Sequence, residues 1–236
     1  MGRFFSISKE ELYNDIEQPV SLSANFILMI ILSAFIAGIG IIKDNLAITI
    51  GAMVIAPFLG PNMSMSLGTT LGDWEIIRRS LITGIVATLL VMVISITWGW
   101  FAGDLSGISP DPMIAYQDVL LAILCGAAGV VSVLSGQGST MVGVMVAAAL
   151  LPPLMRAGLF LGVGDLPKAF NSFVIFGTNV ICVNIASISI FYLAGIRPSM
   201  WWEKEKARVK TRNALVTLMI ILAVLVVLIM TLSQHW

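Results

Sequence analysis

The sequence predicts an all-α polytopic membrane protein: seven transmembrane helices, arranged as a 3+3 inverted repeat plus one C-terminal helix, with two helices broken by proline. Three observations predict it. Apolar residues fill 58% of the 236 positions and charged residues only 11%, against roughly a quarter charged in a soluble domain. The charges cluster and leave long uncharged runs. The chain also superimposes on itself, without a gap, at a shift of 92 residues.

The elements follow in order. Residues 1–21 are polar and lack the positive-then-apolar order of a signal peptide. Ser8-Lys9-Glu10-Glu11 fits a capping box. The short helix it opens offers Phe4, Phe5, Ile7, Leu12 and Ile16 to the membrane surface. "MGRFFS" fits the myristoylation pattern, a pattern short enough to match by chance. A span needs about 20 apolar residues, which selects 22–42, 46–70, 80–102, 115–134, 139–163, 169–195 and 213–232. The domains are then an N-terminal segment 1–21, a three-span unit 22–102 and an acidic outer loop 103–114. A second unit 115–195, a basic loop 196–212 and a peripheral helix with its tail 213–236 complete the chain.

Orientation comes from the positive-inside rule. With the N-terminus cytoplasmic, ten Lys and Arg residues fall inside, and only Lys43 and Lys168 outside, so the C-terminus is external. This asymmetry counts both atypical segments, 46–70 and 139–163, as full crossings; as re-entrant loops they would move Arg78 and Arg79 outside. The formal net charge of zero makes no case for a nucleic-acid partner. The single histidine, His235, removes most metal and triad chemistry, and no metal or other cofactor is expected. Cys125 and Cys182 sit in apolar runs and read as buried, unpaired thiols.

The repeat is densest where 50–73 overlies 142–165, with ten of 24 positions identical, including Pro61/Pro153, Gly72/Gly164 and Asp73/Asp165. Ser80 overlies Ser172. Three spans is an odd number, so the second unit enters the membrane from the opposite side. Transporters use this plan, with paired discontinuous helices near the midplane.

Proline inside a helix removes a backbone hydrogen bond and costs about 3 kcal/mol. In a membrane such backbone persists only when buried in protein or lining a wet cavity. Pro57-Gly60-Pro61 and Pro152-Pro153, at matching places in the two units, point to a shared polar cavity; packed kinks are the plainer alternative. Asn62, Ser64 and Ser66 follow the first break with donors and acceptors. Arg156 follows the second, in the first turn of an expected second half-helix. A cation there costs at least ~2.5 kcal/mol and calls for a negative partner: a substrate anion, a lipid phosphate, or Asp118 or Asp165. A salt bridge or snorkelling is the structural alternative. Gln137 lies in the glycine-rich turn "SGQGS", and Asn179 and Asn184 in span six, as interhelical bonds or ligand contacts.

"GVGD" at 162–165, with Asp73 as its repeat partner, resembles the GxGD pattern of intramembrane aspartyl proteases. The topology puts the two aspartates at opposite faces, and Gly-Asp is an ordinary helix-ending turn. No enzyme is expected.

"GAMVIAPFLGP", "GSTMVGVMVAAALLPPL" and "NSFVIFGTNV" resemble the bacterial and archaeal membrane family catalogued as domain of unknown function 389, over about residues 22–195. The resemblance implies a multi-pass protein of a prokaryotic cell membrane, often with a larger N-terminal soluble domain, and no established substrate. The expected function is a carrier or channel for a small polar or anionic solute, in a homo-oligomer within the lipid bilayer. Its expected site is Arg156, Pro152, Pro153, Pro57, Gly60, Pro61, Asn62, Ser64, Ser66, Gln137, Asn179 and Asn184. The alternative is a non-catalytic membrane scaffold or assembly subunit, and behind it an intramembrane aspartyl hydrolase.

Overall fold

The computed structural model describes residues 22–103, 105, 108, 116–135, 140–196, 214 and 216–222. Among them every regular element is helical: α1 (Ala24–Ile42), α2 (Leu46–Ile55), α3 (Leu59–Leu71), α4 (Trp74–Ala102), α5 (Tyr116–Leu134), α6 (Thr140–Gly162) and α7 (Leu166–Leu193). Residues 216–222 are also helical. Five of these helices are long and apolar enough to cross a membrane, and the bent pair α2–α3 makes six if it counts as one span. The chain is therefore a membrane protein. Segment 1–21, Gln137, residues 197–213, most of the acidic loop and most of the seventh span lie outside the described residues.

Local chemistry sets the helix limits. Ser23 and Asn45 cap α1 and α2, each side chain accepting a backbone N–H at 3.2 Å, from Phe26 and Ile48. Helix α2 stops at Ala56, whose ψ of 116 is extended, because a residue before proline is pushed out of the helical region. The chain turns tightly through Pro57, with Phe58 N–H donating to Ala56 O at 3.0 Å. Helix α3 then begins at Leu59, bent 51° from α2. Pro61 falls in its first turn, where a missing N–H costs least.

The turns α3–α4 and α6–α7 share one design. Gly72 and Gly164 take the left-handed region, φ 71 and 83, which glycine enters without strain. Asp73 N–H then reaches back to Gly68 O, and Asp165 N–H to Phe160 O, both at 2.9 Å, the six-to-one bond of a Schellman end. Both aspartates cap the next helix: Asp73 accepts from Glu75 N and Ile76 N, and Asp165 from Lys168 N.

One expectation needs correcting. Helix α6 is not broken: Pro152 and Pro153 lie inside a continuous helix of 23 residues. Arg156 accordingly sits in mid-helix and not in the first turn of a second half-helix, so no helix N-terminus adds to its charge there. Part of the reason is a hydrogen bond from another helix, which replaces one of the two backbone bonds the prolines remove. Pro153 has no N–H for the carbonyl of Ala149, and Asn179 Nδ2 on α7 supplies the donor at 2.8 Å. At the repeat shift, the partner of Asn179 is Ala87 on α4, which has no donor to offer the α2–α3 break.

Helix α4 packs along α6, and α7 along α3; α1 packs on α4, and α5 on α7. Close approach depends on small residues, as is usual between membrane helices. A Cβ on Gly99 would meet Leu159 O, one on Gly158 would meet Ser95 Oγ, and one on Gly162 would meet Ile96 O. Helices α6 and α7 are the most enclosed spans. Leu150, Leu151, Leu154, Met155 and Phe160 of α6 are all buried. Leu81, Ile85, Leu89, Val93 and Trp100 on α4 are exposed, an apolar face suited to lipid. Cys125 and Cys182 are buried free thiols, as expected.

Candidate functional site

Immediately after the α2–α3 break, α3 turns a polar face to α7. Asn62 and Ser66 are four residues apart and so lie one turn above the other. Asn184 on α7 meets both. Its Oδ1 accepts from Ser66 Oγ at 2.9 Å, and its Nδ2 donates to Asn62 Oδ1 at 3.1 Å and to Val180 O in its own helix at 2.8 Å. Asn62 Nδ2 returns to Phe58 O beside the break, at 2.8 Å. Ser66 and Asn184 are buried, and Asn62 half-buried. An apolar interior charges a full desolvation penalty for an unmade bond, so this chain of amides is held in one arrangement. Ser64 is fully buried and also engaged in a polar contact.

The other break-region residues frame this cluster. Leu59 lies beside Gly143 of α6, its Cβ 3.9 Å from the place a Cβ there would occupy. Met63 fills the space over Gly129 of α5 and touches Ser187 of α7, Sδ to Oγ 3.8 Å. Pro61 faces Gly84 of α4 at 3.9 Å by the same measure. The start of α3 is thus enclosed by α4, α5, α6 and α7.

A second polar locus lies between α6 and α7. Asn179 is buried; its Nδ2 bonds Ala149 O, and its Oδ1 has no hydrogen-bond partner. Asn179 and Asn184 therefore serve different neighbours, α6 and α3. Arg156 is half-buried with its Nε sealed from solvent, and it takes part in a polar or electrostatic contact. Of its two candidate carboxylates, Asp165 is engaged by Lys168, Oδ2 to Nζ 2.7 Å. The hydrogen bond from Lys168 holds the Asp165 carboxyl below its ordinary range. Asp118 lies in the first turn of α5. The Lys168 ammonium also stands over the Phe160 ring, 5.5 Å from its centroid.

The structure thus joins Asn62, Ser66 and Asn184 and sets Asn179 on the proline pair of α6. Sequence reasoning passed over Ser172, which is buried with its hydroxyl unbonded. The signal was present in the pairing of Ser172 with Ser80 at the repeat shift.

A family model described as a domain of unknown function (DUF389) matches residues 53–185. The chain belongs to the DUF389 family. An uncharacterized protein of the archaeon Methanocaldococcus jannaschii is 38% identical over 225 residues, spanning 93% of this chain and 70% of the relative. No solved structure matches. The DUF389 match runs from α2 into α7 and contains both proline segments, the Asn62–Ser66–Asn184 cluster, Arg156 and Asn179.

Proposed function

We propose that this DUF389 protein is a membrane transport protein, a carrier or channel for a small polar or anionic solute. One observation carries the reading: Asn184 is hydrogen-bonded to Asn62 and Ser66 at the start of α3, directly after the backbone break. Transporters of this kind use interrupted helices because the interruption presents polar backbone inside the bilayer. A solute at this point would exchange hydrogen bonds with Asn184, Asn62 and Ser66, which otherwise satisfy one another.

The reading includes a 3+3 inverted repeat, supported by the ten identities between the units and the identical turns at Gly72-Asp73 and Gly164-Asp165. The reciprocal packing of α4 on α6 and α7 on α3 agrees with it. It also includes a homo-oligomer in a prokaryotic cell membrane, with the N-terminus cytoplasmic. No enzymatic step is proposed, since Asp73 and Asp165 each hold a helix N-cap.

The test is reconstitution of the full chain in proteoliposomes, with flux measured for small anions and neutral polar solutes. At least one should cross faster than in empty vesicles, and Asn184→Ala should reduce that flux. The glycine seam between α4 and α6 favours a second reading, a rigid scaffold. Flux equal to empty vesicles for every solute would leave that reading standing and remove transport.

A further inference from the structure

Two contacts fix the register of the antiparallel pair α6–α7. Asn179 Nδ2 bonds Ala149 O, and the Lys168 ammonium stands over Phe160. Arg156 is seven residues after Ala149 and four before Phe160; Ser172 is seven before Asn179 and four after Lys168. Steps of seven and four bring a helical side chain back to within about 20° and about 40° of its starting direction. Arg156 and Ser172 therefore lie at one level of the α6–α7 seam and on the faces that meet.

Among the described residues, Ser172 differs from the other buried hydroxyls. Ser80, its partner at the repeat shift, donates to Ile76 O at 2.7 Å. Thr70, Thr88, Thr178 and Ser189 likewise donate to the carbonyl four residues back. Ser172 is only 1% exposed, yet its Oγ has no hydrogen-bond partner. Further along the seam, the buried Oδ1 of Asn179 is also unbonded. Buried polar groups are nearly always paired, and those that are not ask for a missing partner.

We propose that Arg156 and Ser172 form a binding site for an oxyanion, a phosphoryl or carboxylate group seated between α6 and α7. The guanidinium offers a planar fork of N–H donors to such a group. The Ser172 hydroxyl adds a short donor from the facing helix. The site lies six residues, about 9 Å, inside the start of α7. Lys168 and Phe160 stand one turn nearer that end. A free solute and the phosphate of a lipid headgroup present the same chemistry at this depth. The proposal names the anion-recognising part of the transport reading and rests on it only for the ligand's onward path.

The test uses the full chain in detergent, stripped of lipid. Inorganic phosphate is titrated in one arm and phosphatidylglycerol in the other, with thermal stability and calorimetry as readouts. One arm should show saturable binding, which stabilises the folded protein by mass action. Ser172→Ala removes a hydroxyl with no protein partner, so it should leave ligand-free stability intact and weaken binding about tenfold. Arg156→Gln should weaken it further. Saturation by phosphate identifies a solute site, and saturation by phosphatidylglycerol alone a lipid-headgroup site. No saturation in either arm, or equal affinity in wild type and Ser172→Ala, overturns the proposal. Ser172-dependent binding without flux removes transport and leaves the oxyanion site in place.

Discussion

The Nδ2 of Asn179 stands 2.8 Å from the carbonyl oxygen of Ala149, in the role that the absent N–H of Pro153 cannot fill. Two helices that differ little in proline content thus differ in shape. Helix α6 runs through its prolines, whereas the chain between α2 and α3 turns by 51°.

Removing that amide should expose the difference. Asn179→Ala leaves Ala149 O buried without a donor, at a cost of about 1–3 kcal/mol. Pro153→Ala restores the backbone N–H and should recover most of the loss in the double variant. Unfolding in mixed micelles measures the cycle, and additive single effects would contradict the assignment.

The glycine seam gives a second comparison. Gly158→Ala places a methyl group against Ser95 Oγ between two packed helices, an overpacking expected to cost about 1–3 kcal/mol. Gly51 lies inside α2 with nothing within 4 Å of a built Cβ. Gly51→Ala should therefore be neutral or stabilising by up to about 1 kcal/mol. Thermal shifts of equal sign in the two variants would refute this view of the α4–α6 contact.

At the α6–α7 turn, the Asp165 carboxyl is held below its ordinary range, first by its hydrogen bond to the Lys168 side chain. A depressed carboxylate stabilises the fold above its unfolded pKa, and this contribution disappears as pH falls through the folded value. Asp165→Asn should be less stable than wild type at pH 7, and the gap should close below about pH 4. A gap that persists undiminished in acid would show that the ion pair contributes nothing.

Much of this architecture was legible because its signals are local. Long apolar runs gave five spans, or six with the bent pair α2–α3, among the described residues, and Gly72-Asp73 with Gly164-Asp165 reads as a helix-ending turn. The continuity of α6 was not legible, because the deciding donor, Asn179, is 30 residues from its acceptor. Proline penalties are local, but their relief is tertiary. Asn62, Ser66 and Asn184 were visible as polar residues in apolar runs; their mutual bonding depends on how α7 lies across α3. Ser172 was overlooked because a helical serine usually satisfies itself on the preceding turn.

The continuous and the bent proline segments leave the two halves of this helix bundle mechanically unequal. The C-terminal half holds a strut, α6, tied to α7 by the Asn179 amide; the N-terminal half keeps an elbow between α2 and α3. Bending of this bundle should therefore be concentrated between Ile55 and Leu59, with α6 and α7 acting as its frame.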